Sequence, residues 1–140
     1  MHSISARLIK CFERGNKILV AGNGGSSAEA SHLSEEFITF GFPVIALNDP
    51  AVLTALSNDS NYEEVFSNYI FALHNEGDVL ITISTSGKSK NILHAQKSAK
   101  AFGMEVTEWP RDKGKTTEEI QEYQLKLIHK VYLEVVNHWQ

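Results

Sequence analysis

His32 and Glu36 stand four residues apart in the stretch SSAEASHLSEEF (26–37), so on a helix an imidazole and a carboxylate share one face. Towards the other end of the chain, Gln121 and His129 are eight residues apart. At 3.6 residues per turn they point about 80° from one another and can reach one cleft without stacking. Imidazoles and carboxylates are the usual proton-transfer groups and metal ligands, so the four residues form a candidate metal or acid–base constellation. Each also has a plainer reading. A His–Glu pair at this spacing commonly only stabilises an exposed helix, and Gln121 or His129 alone suits a surface or capping position. His2, His74, His94 and His138 have no such partners in the sequence and read as surface residues.

Two loops carry a different chemistry. Ser84-Thr85-Ser86-Gly87-Lys88-Ser89 follows an apolar run and precedes a helical pattern, which places four hydroxyls and free N–H groups at a helix start. That composition suits a phosphate. The alternative is a hydroxyl-rich turn that merely caps the helix, although capping needs one hydroxyl and not four. It is not a nucleotide P-loop, because the glycine required five positions before Gly87 is Thr82. The other loop, Gly22-Asn23-Gly24-Gly25-Ser26-Ser27, has two glycines of a dinucleotide fingerprint but a serine at position 27 where the third belongs. A tight strand-to-helix turn accounts for Gly24 and Gly25 and leaves Asn23 unexplained, an amide at the mouth of a sheet.

The elements that must position these loops follow from apolar periodicity. Ile4, Leu8, Ile9 and Phe12 fall at helical intervals before Gly15. Ile18–Ala21, Val44–Leu47 and Val79–Ile83 are short unbroken apolar runs, which suit strands covered on both faces, and a less secure fourth strand is expected near Met104–Thr107. Ser26 to Glu29 reads as a capping box opening a helix to about Ile38. Asp49-Pro50 reads as an N-cap and first helical residue. Tyr62, Val65, Phe66, Tyr69, Ile70 and Leu73 mark a further helix, 90–102 another, and Thr117 to about Asn137 a last one with Ile120, Gln124, Leu127, Val131 and Val135 on one stripe. Strand–helix alternation of this kind predicts an α/β three-layer sandwich, a central parallel sheet flanked by helices, with ligands at the C-terminal strand ends. Residues 109–115 form the single linker-like stretch.

Composition narrows the class. A chain of 140 residues with 42% apolar and 21% charged residues suits one globular domain, spanning 1–140. Thirteen Lys and Arg against seventeen Asp and Glu leave a net charge of −4, which argues against a nucleic-acid binder. Cys11 is the single cysteine, which excludes an intrachain disulfide framework and fits a reducing compartment. With no membrane-length apolar run and no signal-peptide core, the expected setting is cytoplasmic.

Taken together, the stretches KILVAGNGGSSAEASHLSEEF (17–37), LTALSNDSNYEEVFS (53–67), GDVLITISTSGKSKNIL (77–93) and TTEEIQEYQLKLIHKVYLEVV (116–136) resemble the sugar isomerase (SIS) domain, a flavodoxin-like fold, and within it the phosphoheptose isomerases. They cover more than half of the chain. The resemblance implies conversion of sedoheptulose 7-phosphate to D-glycero-D-manno-heptose 7-phosphate through an enediol, for lipopolysaccharide or capsule heptose. By position, Ser84, Thr85, Ser86 and Ser89 would hold the phosphate, and Asn23, Gly24, Ser26 and Asp59 would meet the sugar or its carbonyl end. His32, Glu36, Gln121 and His129 fall on the family's zinc positions, one Zn2+ per subunit, with Glu36 and His129 as its acid–base pair and Gln121 also at the substrate. A homotetramer with sites near subunit interfaces is implied as well. Two histidines and a carboxylate are normal zinc ligands, and a glutamine is an unusual fourth.

The sequence departs from the family pattern in several places. The N-terminal helical region is a stub before Ile4, no glycine–arginine segment follows the His-x-x-x-Glu helix, little stands between Met104 and Thr117, and Glu119 replaces an arginine before Ile120. These losses fall where loops and a terminus would be, which suits a sequence omitting mobile segments of a longer chain. Two rival classes are a non-catalytic SIS-type regulator or replication-initiator-binding protein, and a dehydrogenase fragment. The presence of Glu36 and His129 favours an enzyme over the first. Ser27, and Asn48 where an acidic ribose ligand is expected, weigh against the second.

Overall fold

The computed structural model describes residues 1–111 and 115–140. The linker-like stretch 109–115 therefore lies partly outside the described residues. The first two elements are helix α1 (Ser3–Glu13) and strand β1 (Ile18–Gly22). Helix α2 (Gly25–Ile38), strand β2 (Val44–Ala46) and helix α3 (Pro50–Asp59) follow. A 3₁₀ turn at Tyr62–Glu64 leads into α4 (Val65–Leu73), then β3 (Val79–Ile83), α5 (Lys90–Ala101), β4 (Glu105–Glu108) and α6 (Thr117–His138).

The four strands are parallel in the order β2-β1-β3-β4. Every residue of β1 and β3 is buried, as a central strand covered on both faces requires. β4 is an edge strand, with Glu105 and Glu108 exposed and only Thr107 fully inside. On one face α1, α2 and α6 pack Leu8, Leu33, Phe37, Ile128 and Val131 against Val20 and Ile81. On the other, α4 and α5 bring Phe66, Ile70, Ile92 and Ala95 onto Leu19 and Leu80, and α3 adds the half-buried Leu53 and Leu56. The three-layer expectation holds. At the N-terminal edge of the sheet, Asp78 accepts from Lys17 Nζ (2.6 Å), Asn75 N (2.7 Å), Asn16 Nδ2 (2.8 Å) and Lys17 N (3.1 Å). Burial opposes its charge, but these donors hold the carboxyl below the usual carboxylate range.

Local expectations fare unevenly. Asp49 caps α3 through Val52 N (3.1 Å), with Pro50 in the first turn. The capping box at Ser26 does not form. The backbone enters α2 at Gly24, whose φ of +56° a side-chain-bearing residue would resist, so Ser26 and Ser27 already lie inside the helix. Glu29 then points inward instead of back to the cap. The stripe expected from Tyr62 begins as a 3₁₀ turn, because the Asn61 side chain accepts from Glu64 N (2.9 Å) and α4 starts only at Val65. The four remaining histidines are also less idle than expected. His94 Nδ1 meets Glu64 Oε1 at 2.7 Å, His74 stacks on Phe102 at 4.5 Å, His2 caps α1, and His138 lies 3.9 Å from Glu13. Among the described residues no helix is long and apolar enough to cross a membrane.

Candidate active site

The strand order reverses between β1 and β3, and the loops that leave their C-terminal ends part to opposite faces. Ligands of open α/β sheets bind at such a switch point. Here a cavity of about 90 Å³ is lined by Asn23 and Ser26 from the first loop and by Ile83, Ser84, Thr85, Ser86 and Ser89 from the second. Ser84 Oγ accepts from Gly87 N (2.9 Å) and Ser86 Oγ from Lys88 N (3.1 Å), which folds the second loop on itself while each hydroxyl keeps its own proton to donate. Ser89 is the N-cap residue of α5, yet its side chain makes no capping bond. The capping explanation for these hydroxyls therefore fails at the very residue placed to cap.

Asn23 is held by an amide pair the sequence analysis did not single out. Its Nδ2 donates to Asn91 Oδ1 (2.9 Å), and its Oδ1 accepts from Asn91 Nδ2 (3.0 Å) and from the Tyr62 hydroxyl (2.7 Å). A signal for Asn91 was available: with Ile92, Ala95 and Ala99 it lies on the buried stripe of α5, where an amide needs a reason. Gln124 is the same kind of residue on α6. Its Nε2 donates to Ser84 O (3.2 Å) and its Oε1 is buried without a partner among the described residues. Gly24 lies in the first loop and Asp59 ends α3 in an exposed position, and neither lines the cavity.

The second cluster forms on the flank where α2 packs against α6. His32 Nε2 lies 3.2 Å from Glu36 Oε1 and 3.0 Å from His129 Nε2, and the ligand atoms of all three lie within 4.8 Å of one another. One metal ion could therefore be shared between them. Tyr132 stands beside them, its ring 6.3 Å from that of His129. Loss of solvent, and after it the Glu36 carboxylate, raises the Tyr132 hydroxyl above its ordinary range. Gln121 is elsewhere. Its amide packs on Gly25 so closely that a Cβ there would overlap it. From the Gly25–Gln121 contact to the His32–His129 contact is about 10 Å along α2 and about 12 Å along α6 at 1.5 Å per residue. Gln121 thus belongs to the cavity end of α2 and is not gathered with the three side chains.

Glu29 lies on α2 between those two contacts. It is buried, with Oε2 unpartnered among the described residues, and desolvation pushes its carboxyl up to about 7.

The SIS domain family model matches residues 1–107. A phosphoheptose isomerase from Burkholderia pseudomallei (strain K96243) is 45% identical over 121 residues, 81% of this chain. The chain spans 61% of that relative's own length, less than two thirds. A phosphoheptose isomerase from Pectobacterium atrosepticum is 41% identical across 87% of this chain and 75% of its own. The solved structure of a phosphoheptose isomerase from Neisseria gonorrhoeae superposes with a TM-score of 0.90 at 33% identity, covering 94% of this chain and 82% of that one. The chain belongs to the SIS-domain family, and within it to the phosphoheptose isomerases.

Proposed function

We propose that the chain isomerises sedoheptulose 7-phosphate to D-glycero-D-manno-heptose 7-phosphate, for heptose biosynthesis in lipopolysaccharide or capsule. The observation that carries this reading is the convergence of His129 on the His32–Glu36 pair from a different helix, since chance helix pairing supplies only the first contact. In the reaction Glu36 takes the proton from C1 and returns one to C2. His129 gives a proton to the C2 oxygen and accepts the one leaving the C1 hydroxyl, so that protons balance through the enediol. Each such group is worth about 10²–10⁴-fold in rate. Loop 84–89 takes the phosphate, with Asn23, Gly24, Ser26, Asp59 and Gln121 towards the sugar.

The three side chains fit a zinc ion. Nitrogen and oxygen ligands at about 2.0–2.1 Å in a tetrahedron stand about 3.3 Å apart, close to the 3.0 and 3.2 Å seen between these donors. His32, Glu36 and His129 would hold it, and when bound it polarises the carbonyl oxygen. Ligation weakens a carboxylate as a base, so Glu36 is assigned first to the carbon chemistry. Gln121, whose amide lies against Gly25, stands apart from these three donors.

The setting is cytoplasmic and the assembly a homotetramer on this reading. A cavity of about 90 Å³ has room for a phosphoryl group, roughly three times the ~30 Å³ share of one water molecule, whereas small-molecule sites run to ~300 Å³ or more. The His–Glu cluster also begins two turns down α2 from Ser26. Both facts favour a site in which one subunit supplies the phosphate cradle and a neighbour supplies walls or reacting groups. The test is turnover of sedoheptulose 7-phosphate by the protein, with a chelator and with added zinc. Zinc-dependent isomerisation supports the whole reading, and zinc-independent turnover keeps the acid–base pair alone. Retained sugar-phosphate binding without turnover makes the protein a regulator and refutes the enzyme.

A further inference from the structure

Because β3 and β4 are parallel neighbours, the chain leaving β4 rises beside the loop that leaves β3. Three residues past the end of β4 it carries a guanidinium onto loop 84–89. The mount is firm. Trp109 is buried, its backbone N–H donates to Thr82 O (2.8 Å) and its indole N–H to Gln124 O (3.1 Å). Pro110 then fixes φ for the step to Arg111. The Arg111 guanidinium lies so close over Gly87 that a Cβ there would overlap it, and Gly87 itself has φ +70°.

Only 24% of the Arg111 side chain is exposed, yet its ion pair with Glu108 is a loose surface one at 3.7 Å. Among the described residues that contact engages a single nitrogen of a group with five N–H donors. Loop 84–89 offers no carboxylate in return. It contains hydroxyls, Lys88 and the N-terminal end of α5, all of which favour an anion. A guanidinium pressed onto such a loop is a half-satisfied phosphate clamp, planar and able to hold two phosphate oxygens at once.

We propose that Arg111 is a phosphate-binding residue, the cationic arm that closes on the phosphate ester held by Ser84, Thr85, Ser86 and Ser89. This rests on the phosphate reading of that loop given above. Glu108 is its resting counter-ion and competes with the ligand.

The experiment is calorimetric titration of the whole protein with inorganic phosphate, with sedoheptulose 7-phosphate and with unphosphorylated sedoheptulose, using wild type, Arg111→Gln, Arg111→Lys and Glu108→Gln. Arg111→Gln should weaken both phosphate-bearing probes about ten- to a hundredfold and leave the neutral sugar unchanged, with Arg111→Lys in between. Glu108→Gln should bind phosphate more tightly, and that gain should disappear when Arg111 is already glutamine, which separates release of the guanidinium from the general loss of a negative charge. Unchanged phosphate affinity in Arg111→Gln, or an equal loss for the neutral sugar, overturns the assignment. If Arg111→Gln does not fold, absence of tightening in Glu108→Gln overturns it as well. A wild-type chain that binds neither phosphate-bearing probe refutes the loop reading and the assignment together, whereas a binding wild type with an equally good Arg111→Gln removes Arg111 alone.

Discussion

Replacing Glu29 with glutamine should stabilise this protein at alkaline pH, because a buried carboxylate without a partner is costly to ionise. Glu29 is 8% exposed, and desolvation lifts its carboxyl from 4.5 to about 7. Below pH 4.5 it is protonated in both folded and unfolded chains and contributes nothing to the difference. Between pH 4.5 and 7 the folded chain keeps a proton that the unfolded chain releases, so stability falls as pH rises. Above 7 the full cost of a buried carboxylate is present. At about 1.36 kcal/mol for each decade between the two ionisation constants, that cost is about 3 kcal/mol. Glutamine has the same shape and no proton to lose. Glu29→Gln should match wild type near pH 4.5 and exceed it at pH 8 by up to about 3 kcal/mol, or roughly 10 °C in Tm. Urea or thermal denaturation of both proteins from pH 4.5 to 8.5, with a chelator present, reads this directly. Parallel pH–stability curves would refute the argument, because they would mean that water or a donor reaches Oε2.

Other consequences can be checked with the same preparations. Asp78→Ala should cost about 3–5 kcal/mol, since Lys17 Nζ then loses its partner at 2.6 Å and the start of β3 its anchor. Asp78→Asn should flatten the acid limb, because the contribution of a carboxyl held low is present above its unfolded value and is lost as pH falls through the folded one. Zinc added to chelator-treated protein at a hundred times its Kd should raise stability by about 2.7 kcal/mol, and His32→Ala or His129→Ala should remove that gain. Glu36→Gln and His129→Ala should abolish isomerisation while phosphate affinity by calorimetry stays near wild type; near-normal turnover in Glu36→Gln would sink the mechanism. Asn91→Ala should release the Asn23 amide and weaken sugar-phosphate binding about tenfold with only a small fall in Tm.

Periodicity and punctuation carried the architecture. The apolar runs at 18–21 and 79–83 can be satisfied only between two helical layers, and strand–helix alternation leaves a parallel sheet as the available arrangement. The GNGG and STSGKS loops were legible for the same reason, since they end those runs and open helices, and their hydroxyls exceed what capping uses. The pairing of His32 with Glu36 was local and followed from helical spacing alone.

What spacing could not reveal is which local features are outbid by tertiary contacts. Glu29 has the sequence of a cap partner, but Gly24 starts α2 early and swings the carboxyl into the α2–α6 side of the core. Gln121 and His129 look able to share a cleft when viewed down one helix, and the axial rise of about 12 Å separates them once α2 lies alongside. His94 finds Glu64 because α5 packs against the 3₁₀ turn, a neighbour that is 30 residues away in the chain. Asn91 reaches Asn23, and Arg111 reaches loop 84–89, only through strand order. Side-chain type and period are properties of a segment, whereas burial and the approach of a distant charge depend on which segments the sheet sets side by side, and β1 next to β3 next to β4 is decided by packing.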